Sequence, residues 1–340
     1  MDFVWSASRI EDLEECELRH FFLYHSGIPK KDLLTFGHFV AGNVVHSFLE
    51  RFYGPDRKPR SRYKSSESMG GALKGLWFHS IKSGYYRGKK IEWADEERRG
   101  DKEKFKFARW LERLGRTMYD PIMEEEGPVF PEFSFGKGKN CKKEPIRIVH
   151  DGHYHLFSGK IDQIRRGLII RDFKSSASNP GDVILNNDIS LTIYALAFCT
   201  FAHSDEVFRR EVGVSDEEAL RWGGNPTFID ENVRMEWYSL GSRRIFTASR
   251  SDAHFATLLE KVDGLEKQVQ ESLRSGHFEA RVAKHCTECA AKKYCNTYLS
   301  SPTPRKMDVQ LEINYTPMKE ITAPKPKVRN QTPRFNFGRE

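Results

Sequence analysis

The sequence predicts an α/β protein, because apolar side chains recur along its 340 residues with two different periods. Strand-like segments lie between glycine-containing turns at residues 129–135, 146–150, 154–165, 168–174 and 233–247. Segments with apolar side chains at helical spacing lie near residues 8–21, 36–52, 187–203 and 252–274. Ser8 and Ser251 stand at the N-termini of two of these segments as capping residues. We therefore expect a mixed central sheet that is flanked by helices.

Two segments depart from this alternation. Residues 55–126 are polar, basic and helical in period, so we predict a helical insertion. Residues 301–340 hold six of the fifteen prolines, so we predict an extended or disordered basic tail after a domain of residues 1–300. The tail could bind nucleic acid, dock a partner or act as a solubilising linker.

A cluster of positive charge begins the predicted insertion. Its candidate nucleic-acid-binding residues are Arg57, Lys58, Arg60, Arg62 and Lys64. Basic side chains next to an aromatic residue suit a phosphate backbone with stacked bases. A solvated helical surface would give the same pattern.

Composition excludes several classes of protein. The 55 Lys and Arg residues exceed the 48 Asp and Glu residues only mildly, for a net charge of +7. No apolar run approaches the roughly 18 residues of a membrane span, and the first residues do not resemble a secretory signal. We therefore expect no membrane partner, no disulfide framework and a reducing, cytoplasmic location.

Acidic residues flank one predicted turn in a pattern that suits metal binding. Asp162 and Asp172 each lie five residues from Gly167, so an antiparallel pairing would place them opposite each other. Strand periodicity places Lys174 on the face of Asp172. Two carboxylates and a lysine suit Mg²⁺ or Mn²⁺ and phosphoryl chemistry. An ordinary polar hairpin is the alternative.

Cysteines form a second chemical signal near the end of the predicted domain. Cys286, Cys289 and Cys295 have the spacing C-x2-C-x5-C. They could be zinc ligands, with His285 or Cys16 as the fourth ligand. Cys141 and Cys199 have no such partners, and Cys199 lies on an apolar helix.

The order of short motifs resembles that of a known family. GNVVHSFLE, PEFSF, GKID, DFK and LTIYALA occur in that order between Cys16 and the three later cysteines. This arrangement resembles the PD-(D/E)XK nuclease superfamily over roughly residues 5–300. More narrowly, it resembles the RecB-like and Cas4-like branch that carries an iron–sulfur cluster, as in AddB-type nuclease domains.

The resemblance implies a restriction-endonuclease-like fold and assigns roles by position. The implied metal ligands are His46, Asp162, Asp172 and the backbone carbonyl of Phe173. The implied catalytic residue is Lys174, accompanied by Glu132 and Tyr194. Ser190 stands where the family usually has the glutamine that precedes this tyrosine by four residues. The implied ligands of a [4Fe–4S] cluster are Cys16, Cys286, Cys289 and Cys295.

The resemblance also implies an activity, namely metal-dependent hydrolysis of DNA, with exonucleolytic trimming of single-stranded ends. Two rivals remain. The protein could be a component of a larger DNA-processing complex with little activity alone, or it could bind nucleic acid without cleaving it. Nothing in the sequence indicates recognition of a 2′-hydroxyl group, as cleavage of RNA would require.

Overall fold

The computed structural model describes residues 3–54, 63–93, 101–136, 141, 143–175, 181–222, 232–296 and 309–314. The architecture is mixed α/β, with several small sheets and packed helices. The α-helices of these residues are α1 (Ala7–Glu15), α2 (Glu17–Tyr24), α3 (Gly37–Tyr53), α4 (Ser66–Ile81), α5 (Asp101–Glu124), α6 (Gly181–Asn186), α7 (Ile189–Ser204), α8 (Glu206–Val212), α9 (Asp216–Arg221) and α10 (Asp252–Ser275). The strands are β1 (Val4–Trp5), β2 (Leu34–Phe36), β3 (Tyr85–Tyr86), β4 (Lys89–Glu92), β5 (Phe133–Phe135), β6 (Ile146–His150), β7 (His153–Phe157), β8 (Gly159–Ile161), β9 (Gln163–Arg165), β10 (Ile169–Lys174), β11 (Arg234–Ser239), β12 (Arg244–Ala248), β13 (His277–Val282) and β14 (Val309–Asn314).

One sheet positions the predicted carboxylates. Its strands have the order β12, β11, β10 and β9, with β10 parallel to β11 and antiparallel to β9. Gly167, with a φ of +77°, allows the chain to reverse between β9 and β10. The last pair of the ladder joins Gln163 to Arg171. The next pair in the same register is therefore Asp162 and Asp172.

The main core forms where α7 packs beneath the sheets. Most residues of α7 are apolar, and Cys199 is among its buried side chains. By length and composition alone, residues 184–204 would also suit a membrane span, but half of that segment is buried inside the protein. Its apolar character is explained by burial against strands on one side and helices α8 and α10 on the other.

The predicted insertion contains a β-hairpin as well as helices. Helices α4 and α5 pack closely, and they share a second core with α3, Phe173 and Tyr238. Strands β3 and β4 pair between them, and β4 also pairs in parallel with β2. The prediction of a helical insertion is therefore incomplete, because a turn with positive φ at Arg87 and Gly88 closes a hairpin that is too short for a clear strand pattern.

Cys16, a predicted cluster ligand, interrupts the predicted N-terminal helix. Cys16 has extended dihedral angles, φ −168° and ψ 115°, and separates α1 from α2. The prediction that Cys16 lies within a helix is therefore wrong. Beyond the break, α2 packs against β13, where the rings of Phe21 and Phe278 lie 4.1 Å apart. The cysteine segment thus packs on the N-terminal helices.

Part of the predicted tail is an ordered strand. Strand β14 pairs antiparallel with β13 over six residues, from His277 opposite Asn314 to Val282 opposite Val309. This segment is hydrogen-bonded into a sheet. The remaining residues from 301 to 340 lie outside the described part of the chain.

Candidate active site

Three elements meet at the predicted carboxylates. His46 lies on α3, and its Nδ1 is 2.8 Å from Oδ1 of Asp162. The backbone N–H of Phe173 on β10 donates to Oδ2 of the same carboxylate, also at 2.8 Å. Asp162 therefore connects helix α3 to strand β10. This contact places the imidazole next to the pair of aspartates that the hairpin register brings together.

Lys174 and Trp237 hold the second carboxylate. Lys174 Nζ lies 2.6 Å from Oδ2 of Asp172, and Trp237 Nε1 on β11 donates to the same oxygen at 2.9 Å. The ammonium also lies 4.7 Å from the centre of the indole ring. Alternate residues of a strand share a face, which explains why residues 172 and 174 point the same way. We call His46, Asp162, Asp172 and Lys174, whose catalytic role is a prediction from the sequence, the catalytic cluster.

The electrostatics of this cluster favour bound cations. Burial raises the pKa of Asp172; Lys174 opposes that change, and the negative charge of Asp162 adds to it. Burial by itself would lower the pKa values of His46 and Lys174, but the surrounding carboxylates outweigh burial and raise both. The raised pKa values of His46 and Lys174, which burial alone would lower, indicate negative potential from the carboxylates at this site.

Tyr194 and Glu132 lie at the border of the cluster. Burial raises the pKa of Tyr194 well above its usual value, and the charges of Asp172 and Asp162 add to this effect. Glu132 precedes β5, whose pairing with β8 continues the register to Asp162. Its carboxylate pairs with Lys160, which also lies 3.7 Å from Glu50 on α3. Glu132 therefore forms an ion pair with Lys160, and its predicted catalytic role stays a prediction.

Sequence reasoning missed three residues of this region. Glu11 on α1 and Asp188 at the start of α7 lie within electrostatic reach of Lys174. Trp237 contacts Asp172 directly. Asp188 caps α7 by accepting a hydrogen bond from the N–H of Leu191, and an aspartate before an apolar run is a readable cap signal. Glu11 and Trp237 have no local signal, because only tertiary packing brings them here.

The donor chemistry of the cluster fits a hard divalent cation. Carboxylate oxygens and one imidazole are typical ligands of Mg²⁺ or Mn²⁺. Within the described ranges, no three His, Cys, Asp or Glu side chains form a metal-binding group by distance alone. His46 and the amide of Phe173 instead contact the two oxygens of Asp162, and Lys174 and Trp237 both contact Oδ2 of Asp172. The fit therefore rests on the residue types and on the register and contact that bring Asp162, Asp172 and His46 together.

The four predicted cluster cysteines line one pocket. Cys16, from the break between α1 and α2, meets Cys286, Cys289 and Cys295 there, together with Arg19 and Lys292. Burial raises the pKa of Cys289 to about 11, and the neighbouring thiols of Cys16 and Cys286 add to the effect. None of the described cysteines forms a disulfide. Four cysteines that line one pocket are residue types that bind an iron–sulfur cluster or a zinc ion, although no three of them form a metal-binding group by distance alone.

The cysteine pocket is tied to the helix that carries His46. The N–H of Leu34 donates to the carbonyl of Ala290 at 2.8 Å. Lys292 pairs with Glu92 on β4, and His38 Nε2 lies 3.3 Å from a carboxylate oxygen of Glu288. These contacts fix the start of α3 against the segment that contains three of the cysteines.

The predicted basic cluster is only partly described. Lys64 is exposed shortly before α4. Arg57, Lys58, Arg60 and Arg62 lie outside the described residues, so their contact with nucleic acid stays a prediction.

Comparison with known proteins adds one finding. The family model described as the PD-(D/E)XK nuclease superfamily matches residues 4–296. The match includes every residue of the catalytic cluster and all four cysteines of the pocket. A search of curated proteins finds no match for this chain.

Proposed function

Because the chain belongs to the PD-(D/E)XK nuclease superfamily, whose members cleave nucleic acid with divalent metals such as Mg²⁺ or Mn²⁺, we propose that it trims single-stranded DNA ends as an exonuclease. One observation carries the assignment of the active site. Asp162 and Asp172 face each other in the register of the hairpin, with His46 bonded to the first and Lys174 to the second.

The catalytic cluster divides the work of hydrolysis. His46, Asp162, Asp172 and the carbonyl of Phe173 would hold the cation. When bound there, a divalent cation polarises the scissile phosphate and lowers the pKa of the attacking water. Trp237 keeps the carboxylate of Asp172 in position through its indole N–H.

Lys174 acts as a fixed positive charge in this proposal. The carboxylates of Asp172, Asp188 and Asp162 outweigh the effect of burial and raise the pKa of Lys174. The amine is therefore protonated at neutral pH and is a poor base. Its Nζ is suited to stabilise the negative charge that develops on the phosphate oxygens as water attacks.

We place the chain in the RecB-like and Cas4-like branch, with a [4Fe–4S] cluster in the cysteine pocket. The pocket joins residue 16 to residues 286–295, so bonds from four thiolates to one cluster would close a very long loop. Such a cluster would also support the start of α3, because the cysteine segment contacts Leu34 and His38. A zinc ion bound by the same cysteines is the alternative.

A cleavage assay on end-labelled DNA tests the proposal. Anaerobically purified protein would be incubated with Mg²⁺ or Mn²⁺ and with single-stranded, tailed or blunt substrates. Lys174→Ala should lower the rate by about 100-fold or more, because a preorganised charge next to the phosphate is lost. Lys267→Ala removes an exposed lysine from α10 and is the matched control.

The products distinguish the rival functions. Nucleotides released progressively from a single-stranded end would support an exonuclease, whereas internal fragments would indicate an endonuclease. If folded, cluster-loaded protein cleaves no DNA alone, the stand-alone exonuclease is wrong and a partner-dependent component becomes the better hypothesis. Full activity of Lys174→Ala would remove the role assigned to the lysine.

A further inference from the structure

A groove of about 680 Å³ opens beside the catalytic cluster, between α3 and α5. His46 and Ser175, the residue that follows β10, line the same groove. Gly42 on α3 keeps this end open, because even a Cβ at that position would meet only the hydroxyl of Ser175, at 4.0 Å. A chain lying in the groove would therefore reach the catalytic cluster directly.

Aromatic side chains line the outer part of the groove. Phe39, near the start of α3, has 47% of its surface exposed. Trp110 and Phe107 on α5 are half-buried and line the groove from the other side. These aromatic side chains leave apolar surface exposed to solvent, which a bound ligand could bury. Their flat faces are suited to stack on unpaired bases, which a duplex does not offer.

Positive charge accompanies these aromatic groups along one face of α5. Lys106, Arg109, Arg113 and Arg116 are exposed at positions i, i+3, i+7 and i+10, so they follow one stripe of the helix. Lys106 and Arg113 line the groove itself. Among the residues that the structure describes, Lys106, Arg109 and Arg113 form no salt bridge.

The acidic residue that lies within this stripe, Glu112, is paired with two cations. Glu112 lies between Lys74 and Arg116, at 2.9 Å and 3.0 Å. Hydrogen bonding to Lys74 lowers the pKa of Glu112. The stripe therefore presents net positive charge beside two aromatic faces, as expected of a path for a single nucleic-acid strand.

We infer that the groove between α3 and α5 binds the single-stranded segment of a DNA substrate, with Trp110 and Phe39 stacking on bases and Lys106 and Arg113 contacting phosphates. This inference deepens the proposed function and rests on it. It adds helix α5 to the predicted DNA-binding surface, and the role of the cluster at residues 57–64 stays a prediction.

Binding, measured without cleavage, tests the inference. The full chain carrying Lys174→Ala would be titrated into a fluorescein-labelled oligodeoxythymidine in metal-free buffer, and anisotropy would be followed at several salt concentrations. Lys106→Gln with Arg113→Gln should weaken binding and reduce the salt slope by about 1.4, since each lost phosphate contact on a single strand removes about 0.7. Arg210→Gln with Arg221→Gln is the matched control, because both arginines are exposed and neither lines the groove.

Base stacking has a separate readout. Trp110→Leu should weaken binding of oligodeoxythymidine by about tenfold, within the range expected for loss of one stacked base. The same variant should bind an abasic strand of equal length as well as its parent does. Phe39→Leu, on the opposite wall of the groove, should also weaken binding of oligodeoxythymidine but not of the abasic strand. Because Phe39 is exposed, this variant should fold and can test the inference even if Trp110→Leu does not fold.

Several outcomes would overturn the inference. Groove variants that bind like the arginine control would do so, as would equal loss on the abasic strand, which would indicate a structural effect. Blunt duplex bound as tightly and with the same dependence on Trp110 would also contradict it. Failure of the proposed function would look different: the wild-type chain would show no metal-dependent cleavage, while single-strand binding would still depend on the groove.

Discussion

His46 and Asp162 are separated by 116 positions in the sequence, yet the imidazole Nδ1 of one lies 2.8 Å from Oδ1 of the other. This contact joins the second core, which contains α3, to the hairpin that carries the two aspartates. The imidazole can therefore join the two aspartates only when these two separately packed parts of the chain are assembled.

Replacement of His46 should separate activity from folding. We expect His46→Ala to lower cleavage and affinity for Mn²⁺ by about 100-fold, as for loss of one metal ligand or its partner. The thermal midpoint should change little, because a third of the imidazole surface is already exposed. Cleavage rates and calorimetric Mn²⁺ titration would measure this, with His79→Ala on the exposed face of α4 as control. Unchanged Mn²⁺ affinity would contradict the assignment.

If the cysteine pocket binds an iron–sulfur cluster, loss of one cysteine should change both the colour and the stability of the protein. Cys286→Ser should abolish the broad visible absorbance of anaerobically purified protein and lower its thermal midpoint, because one cluster ligand is lost. Cys141→Ser is the matched control, since Cys141 does not line the pocket. A colourless wild-type protein that contains one zinc ion would show that zinc occupies the pocket instead.

The contact between α4 and α5 should reverse the usual effect of alanine in a helix. Glycine to alanine normally stabilises a helix interior by about 0.5–1 kcal/mol. A Cβ on Gly115 would lie 2.8 Å from the Cα of Gly70, so Gly115→Ala must push the helices apart and destabilise the protein by about 1–3 kcal/mol.

Gly75 on α4 is the control for that experiment. A Cβ at this position meets nothing within 4 Å, so Gly75→Ala should stabilise the protein by the usual amount. Chemical denaturation of both variants would measure the difference. Stabilisation by Gly115→Ala would contradict the close packing of the helix that lines the groove.

Local pairing explains which parts of the site could be predicted from the sequence. Asp162, Asp172 and Lys174 belong to one hairpin, and alternation around Gly167 was enough to place them together. The implied position of His46 came from motif order rather than from any local pattern. Trp237 and Glu11 reach the site only through long-range packing, which short windows of sequence cannot report.

The errors in the predicted fold have the same origin. Apolar periodicity continues across Cys16, so the sequence gives no sign that one helix is two. The β3–β4 hairpin is too short to show alternation, and β4 gains part of its pairing from β2, more than fifty residues earlier. In both places the local sequence has no strong preference, and tertiary contacts determine the backbone conformation.

A buried histidine should make the protein sensitive to mild acid. His20 on α2 is only 3% exposed and lies among Trp5, Tyr24 and His25. Burial lowers the pKa of His20 to about 3, and the neighbouring His25 and Arg9 contribute in the same direction. In the unfolded chain the pKa of histidine is about 6.5.

The sign of the effect follows from where the proton binds. Between pH 6.5 and pH 3 the unfolded chain binds a proton at His20 and the folded chain does not. The free energy of unfolding is therefore highest above pH 6.5 and falls as the pH decreases, by about 2 kcal/mol at pH 5 from this residue. His20→Phe keeps an aromatic ring among aromatic neighbours and should remove that loss. Urea denaturation at pH 7.5 and pH 5 would measure it, with the exposed His153→Gln on β7 as control. An equal loss of stability in wild type and His20→Phe would mean that His20 is protonated in the folded protein.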